Sequence, residues 1–191
     1  MTKCVLVAYG SRYGCTEEVS QEIGKVLEKE GLSVSLVNLE LSKNVPDLKN
    51  FDGILVGSGI KISKWTKETD NFLKKNKMQF KDKIIGLYAC CGLATEDAEK
   101  AKKMYVQDKM EKLGIDAQLF DAFPGKSILS DFDLSNPKIG FIERKIIEQA
   151  AKAQAKDNKP IKIDDKWKND PRGQEQIRSF ATKFAELVKS K

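Results

Sequence analysis

The chain alternates short unbroken apolar runs with longer stretches in which apolar residues return every three or four positions. Cys4 to Tyr9 is apolar at every position and too short for a buried helix, the pattern of a strand covered on both faces. Val19, Ile23, Val26 and Leu27 then recur at helical spacing, and Gly31 marks the end of that helix. Leu32 to Leu39 alternates like a second strand, and Asp52 to Gly57 reads as a third, buried strand after the turn-forming Asn50. A helix is predicted from about Trp65 to Lys77, with Phe72 and Leu73 facing inward and Ser63 or Thr66 as its cap. Lys83 to Cys91 forms a fourth strand. Thr95 caps a helix that carries Glu96 and Asp97 in its first turn and runs to Gly114, and Ala117 to Phe123 supplies a fifth strand.

From Gly125 the pattern changes. Lys126 to Asn136 is irregular. After Pro137, the residues Ile139, Ile142, Ile146, Ala150 and Ala153 form an apolar stripe on a helix rich in alanine and lysine. Asp157 to Asp165 is a polar connector. Asp170 and Pro171 then give an N-cap and a first-turn proline to a closing helix, whose inner face is Ile177, Phe180, Phe184, Leu187 and Val188. Strand and helix repeated with short connections predict an α/β domain with a mostly parallel sheet, right-handed crossovers and helices on both faces. The closing helix completes one helical layer, so residues 1–191 form a single domain with an insertion at about 126–169, after strand five.

At 191 residues the length fits one domain, and 40% hydrophobic against 32% charged residues is a soluble globular balance. No apolar run reaches membrane-span length and the amino terminus lacks a signal-peptide pattern, so the expected location is cytoplasmic. The four cysteines form no CxxC pair, and with His 0 the spacings of metal sites and a histidine-dependent hydrolytic triad are excluded. The net charge is +6, and Lys138 to Lys168 holds nine Lys or Arg against five Asp or Glu. That bias favours acidic protein partners or an anionic membrane surface. No nucleic-acid partner is expected.

Three loops sit at the carboxyl ends of predicted strands, where parallel sheets bind ligands. The first, Gly10 to Thr16, joins a strand to a helix amino end, so unpaired backbone N–H groups and the helix dipole favour an anion there. Ser11, Tyr13 and Thr16 add hydroxyl donors, and Gly14 lets the backbone approach a bound group. There is no GxxxxGK(S/T) for a nucleoside triphosphate and no GxGxxG for a dinucleotide. The second loop runs from Gly57 to Trp65, and the third is Cys91-Gly92-Leu93-Ala94-Thr95.

The run Ser11-x-Tyr13-Gly14-x-Thr16 resembles the phosphate loop of the flavodoxin family, which wraps the phosphate of FMN. The resemblance implies a flavodoxin-like, doubly wound, five-stranded parallel sheet in the order 2-1-3-4-5, flavodoxin with its FMN being one of the examples on which the rule of ligand binding at a topological switch point rests. It also implies FMN held by Ser11, Arg12, Tyr13, Gly14, Cys15 and Thr16 in the first loop. From the second loop it implies Ser58, Gly59, Ile60, Lys61 and Trp65, and from the third Cys91, Gly92, Leu93 and Ala94 along the pyrimidine edge. Trp65 is either a stacking plane or a core residue, and Lys61 either lies near the N1 side of the ring or is a solvated loop lysine. The family's Trp-Gly-Asp/Glu is missing from the second loop and its stacking tyrosine from the third. Tyr88 reads as core.

Within the family, Tyr9 to Thr16 and Gly57-Ser58-Gly59-Ile60-Lys61 are similar to the branch that includes menaquinone-dependent protoporphyrinogen oxidase. Two functions follow from the resemblance. One is a soluble electron-transport flavoprotein carrying electrons between redox proteins. The other is an FMN oxidoreductase passing hydrogen from protoporphyrinogen IX to a quinone at a membrane surface. The inserted helix has Phe141 as its only aromatic residue, which favours the soluble carrier.

Overall fold

The computed structural model describes residues 2–12, 14–42, 44–125 and 171–191. In chain order these form β1 (Cys4–Gly10), α1 (Cys15–Lys29), β2 (Ser33–Asn38), β3 (Gly53–Lys61), β4 (Lys64–Trp65), α2 (Lys67–Asn76), β5 (Ile84–Cys91), α3 (Leu93–Glu96), α4 (Ala98–Lys102), a π-helical stretch (Lys103–Gln107), α5 (Asp108–Leu113), β6 (Leu119–Pro124) and α6 (Pro171–Ser190). Five strands pair in parallel in the order β2-β1-β3-β5-β6. This is the expected order 2-1-3-4-5 with the two-residue β4 counted in.

Neighbouring residues of β1 bury against opposite layers, which explains its unbroken apolar run. Val5 and Val7 join Leu55, Tyr88 and Phe123 in a core covered by α1 and α6, while Leu6 and Ala8 join Ile54, Val56 and Leu87 in a core covered by α2 and the stretch around Val106. The closing helix lies very near the sheet because a glycine faces it. A Cβ on Gly53 would stand 2.6 Å from Val188 Cγ2 and 3.1 Å from Phe184 Cε1. Ile177, Phe180, Phe184 and Val188 are buried on α6 as expected; Leu187 is only half-buried, and Ala181 and Ala185 complete the inner face. At the amino end of the sheet, Asp52 accepts from the Cys4 backbone N–H at 2.8 Å and from Lys3 Nζ at 3.1 Å, tying β1 to β3. The Cys4 bond, more than the lysine, holds its carboxyl below the usual range.

Four local expectations change. The stretch from Gly57 to Trp65 is no loop: β3 runs on to Lys61, turns through Ile62 and Ser63, and returns as β4, with Ile60 opposite Trp65. Consequently α2 begins at Lys67, with Thr66 at its N-cap and the Thr66 hydroxyl bonded to Thr69 Oγ1 at 2.8 Å. The third loop folds into the single turn α3, and Asp97 rather than Thr95 caps the next helix, accepting from the Lys100 N–H at 2.9 Å. The expected continuous helix to Gly114 carries a π-helical stretch in its middle. The insertion at about 126–169 and the Asp170 cap lie outside the described residues. No described helix is long and apolar enough to cross a membrane.

Candidate functional site

Gly10 ends β1 and Gly14, at φ 87, takes the N-cap position of α1, a backbone conformation that costs glycine nothing. No side chain caps this helix among the described residues, so its first-turn N–H groups face the loop. Ser11 Oγ is buried and has no hydrogen-bond partner among the described residues. A buried hydroxyl costs about 1–3 kcal/mol when left unpaired, so its position here signals a missing acceptor. Thr16 is buried beside it. Beneath the loop, Ser20 Oγ donates to the Thr16 carbonyl at 2.6 Å and lies 2.7 Å from Tyr88 Oη. With the serine hydrogen used, the tyrosine donates to Ser20, and this buried chain fixes the first turn of α1 to β5. Tyr88 is fully buried, as read from the sequence.

The loop forms one wall of a narrow cleft at the carboxyl ends of the strands. Ser11, Arg12, Cys15 and Thr16 line one end; Gly59, Ile60, Lys61 and Thr66 come from the hairpin and its exit; Cys90, Cys91 and Gly92 from the end of β5; and Gly125 from the end of β6. Nine residues singled out in the sequence are thus brought together. Three others, Thr66, Cys90 and Gly125, were not.

The remaining candidates stand elsewhere. Ser58 is buried, accepts from the Thr66 N–H at 2.9 Å and donates to the Gly59 carbonyl at 3.0 Å, so it shapes the hairpin without facing the cleft. Trp65 is buried on β4, and its Nε1 donates to the Tyr105 carbonyl at 2.6 Å. That is the core alternative: Trp65 does not line the cleft, and no aromatic ring does among the described residues. Leu93 and Ala94 belong to α3, and Gly14 sets the loop's backbone; none of the three lines the cleft. Tyr13 lies outside the described residues.

Charge gathers at the mouth. Arg12 Nε stands 4.0 Å from Glu40 Oε1. Burial lowers the Lys61 pKa, the Arg12 charge lowers it further, and Glu40 works against both. Deeper in, Cys90 is pushed well above the ordinary thiol value by its hydrogen bond with Cys15 and by burial, and Cys91 is raised by burial. All four cysteines are free thiols. With raised pKa values, Cys90 and Cys91 stay protonated and weakly nucleophilic at neutral pH. Among the described residues no cluster could hold a metal ion. The cleft therefore offers hydroxyl and amide donors with a positive charge at one end, and backbone and small apolar walls at the other. Such a site suits a flat organic group carrying an anion.

A family model described as the flavodoxin domain matches residues 6–160. The chain belongs to the flavodoxin domain family. A flavodoxin from the domain Archaea superposes with a TM-score of 0.58 at 15% identity, over 97% of this chain and 99% of that one. A short-chain flavodoxin associated with a PDU bacterial microcompartment gives 0.51 at 13% identity, over 83% of this chain and 100% of that one. The Flv1 flavodiiron core of Synechocystis gives 0.50 at 21% identity, over 82% of this chain and 37% of that one. These likenesses show the flavodoxin fold. No curated protein sequence matches the chain.

Proposed function

We propose that this flavodoxin-family protein binds FMN in the cleft beside the Gly10–Thr16 loop and carries electrons one at a time between redox proteins in the cytoplasm. The observation that carries the reading is the buried, unpartnered Ser11 hydroxyl at the uncapped amino end of α1. A phosphate there receives hydroxyl bonds from Ser11 and Thr16, backbone N–H bonds from the first turn, and the favourable end of the helix dipole. Arg12 adds a positive charge at the rim. Gly59, Ile60, Cys91, Gly92 and Gly125 give the rest of the group a narrow slot of backbone and small side chains. When bound, the flavin supplies the redox chemistry.

The protein's own residues bind, orient and set charge. The Thr16–Ser20–Tyr88 chain holds the phosphate end rigid, and the buried thiols of Cys90 and Cys91 keep water from the cleft floor without adding charge. The Lys61 ammonium favours negative charge near the hairpin, while burial and the Arg12 charge lower its pKa. Four free thiols fit a reducing compartment. Stepwise reduction of the FMN-loaded protein, followed by its visible spectrum, tests the carrier role. Two resolved one-electron steps are expected. A single concerted two-electron step, together with turnover of protoporphyrinogen IX, would replace the carrier with the oxidase.

A further inference from the structure

Beside the cleft lies a wider groove walled by the β3–β4 hairpin, the start of α2 and the run from Met104 to Leu113. Arg12, Lys61 and Thr66 line both, so the groove opens onto the cleft's mouth. Seven basic side chains and two acidic ones line it. One of those carboxylates, Asp70, is already engaged by Lys74 Nζ and Lys109 Nζ, both at 2.5 Å. Lys64, Lys67 and Lys112 are exposed and have no ion-pair partner among the described residues. Between these cations Ile62 is 59% exposed and Met104 43% exposed. An apolar centre within a charged rim is the anatomy of a protein interface.

We propose that this groove docks an acidic electron-transfer protein, whose carboxylates meet Lys64, Lys67 and Lys112 and which comes to rest over the mouth of the cleft. The proposal rests on the FMN-carrier reading and names the partner that reading leaves open. Sign decides the occupant. A second copy of the chain brings a net charge of +6, and residues 138–168 bring nine Lys or Arg against five Asp or Glu, so both place like charge on the groove. An acidic surface is drawn in and oriented by the same field.

The test uses the FMN-loaded full chain and an oxidised, acidic [2Fe–2S] ferredoxin as probe, with binding measured by titration calorimetry at low and high salt. The expected result is binding at low salt that the triple change Lys64→Gln, Lys67→Gln, Lys112→Gln weakens by about tenfold and that high salt weakens similarly. The control triple change Lys25→Gln, Lys29→Gln, Lys183→Gln, on the opposite helical layer, should alter binding by less than about twofold. Equal losses in both variants would show that net charge alone is felt and would overturn the docking face. So would equally tight binding of a basic probe, cytochrome c, or a self-associating chain whose dimer the first variant dissolves. Failure of the carrier reading shows separately: a chain that discriminates the two triple variants but takes up no FMN overturns the proposed function, whereas an FMN-loaded chain without discrimination overturns the docking face alone.

Discussion

Tyr9 shows how one side chain near the loop couples charge to stability. It sits at the end of β1, buried, with its hydroxyl donating to Glu17 Oε1 at 3.2 Å in the first turn of α1. Burial first, and then the Glu17 carboxylate, raise its pKa from 10.0 to about 12. The folded protein therefore holds this proton more tightly than the unfolded chain. The resulting stabilisation is complete below pH 10 and is lost as pH rises from 10 to about 12. Tyr9→Phe removes the titration while the lysines still titrate in both proteins. Urea unfolding at several pH values should show wild type losing stability relative to Tyr9→Phe across that window. Parallel stability curves would mean that the phenol is neither buried nor held against Glu17 in the folded protein.

At the scale of elements, the hairpin between β3 and β4 departs most from what its residues favour. Ile62 and Ser63 have φ of 47 and 57, the left-handed region at both positions of a two-residue turn. A turn of this kind prefers Asn-Gly, and a Cβ in that region costs about 1–2 kcal/mol per residue. Ile62→Asn with Ser63→Gly should therefore stabilise the protein by about 1–2 kcal/mol, read as a raised urea midpoint with an unchanged slope. An unchanged midpoint would place these residues outside the left-handed region.

The same strain explains why the hairpin was not legible in the sequence. Its turn lacks Asn-Gly, and β4 is too short to show alternation. The parallel strands were legible because burial on both faces leaves unbroken apolar runs at β1 and β5. The single turn α3 and the π-helical stretch carry no distinct pattern of their own. In the site, Ser11 to Thr16 was readable as a contiguous loop. Cys90 and Gly125 reach the cleft only through sheet register, with Cys90 opposite Gly59 and Gly125 following Pro124, the partner of Cys91. The sequence marks Thr66 only as a helix cap, a position it does occupy.

For the whole molecule, the strand order places the Gly10–Thr16 loop where β1 meets β3, with β2 on one side and β5 and β6 on the other. Crossovers leave β1 and β3 in opposite directions, so the chain itself opens a crevice at their carboxyl ends. All three stretches that read as loops in the sequence lie at that end of the sheet, the second as the β3–β4 hairpin and the third as α3. The central claim is that this crevice holds FMN by its phosphate, and titration of the apo chain with FMN and with riboflavin tests it most directly. Wild type should bind FMN far more tightly than riboflavin. Ser11→Ala and Thr16→Ala should each weaken FMN binding by about 10- to 150-fold, the worth of a hydrogen bond to a charged group at roughly 1.5–3 kcal/mol, and leave riboflavin affinity unchanged. Equal affinity for the two ligands, or equal losses for both in the variants, would contradict the account.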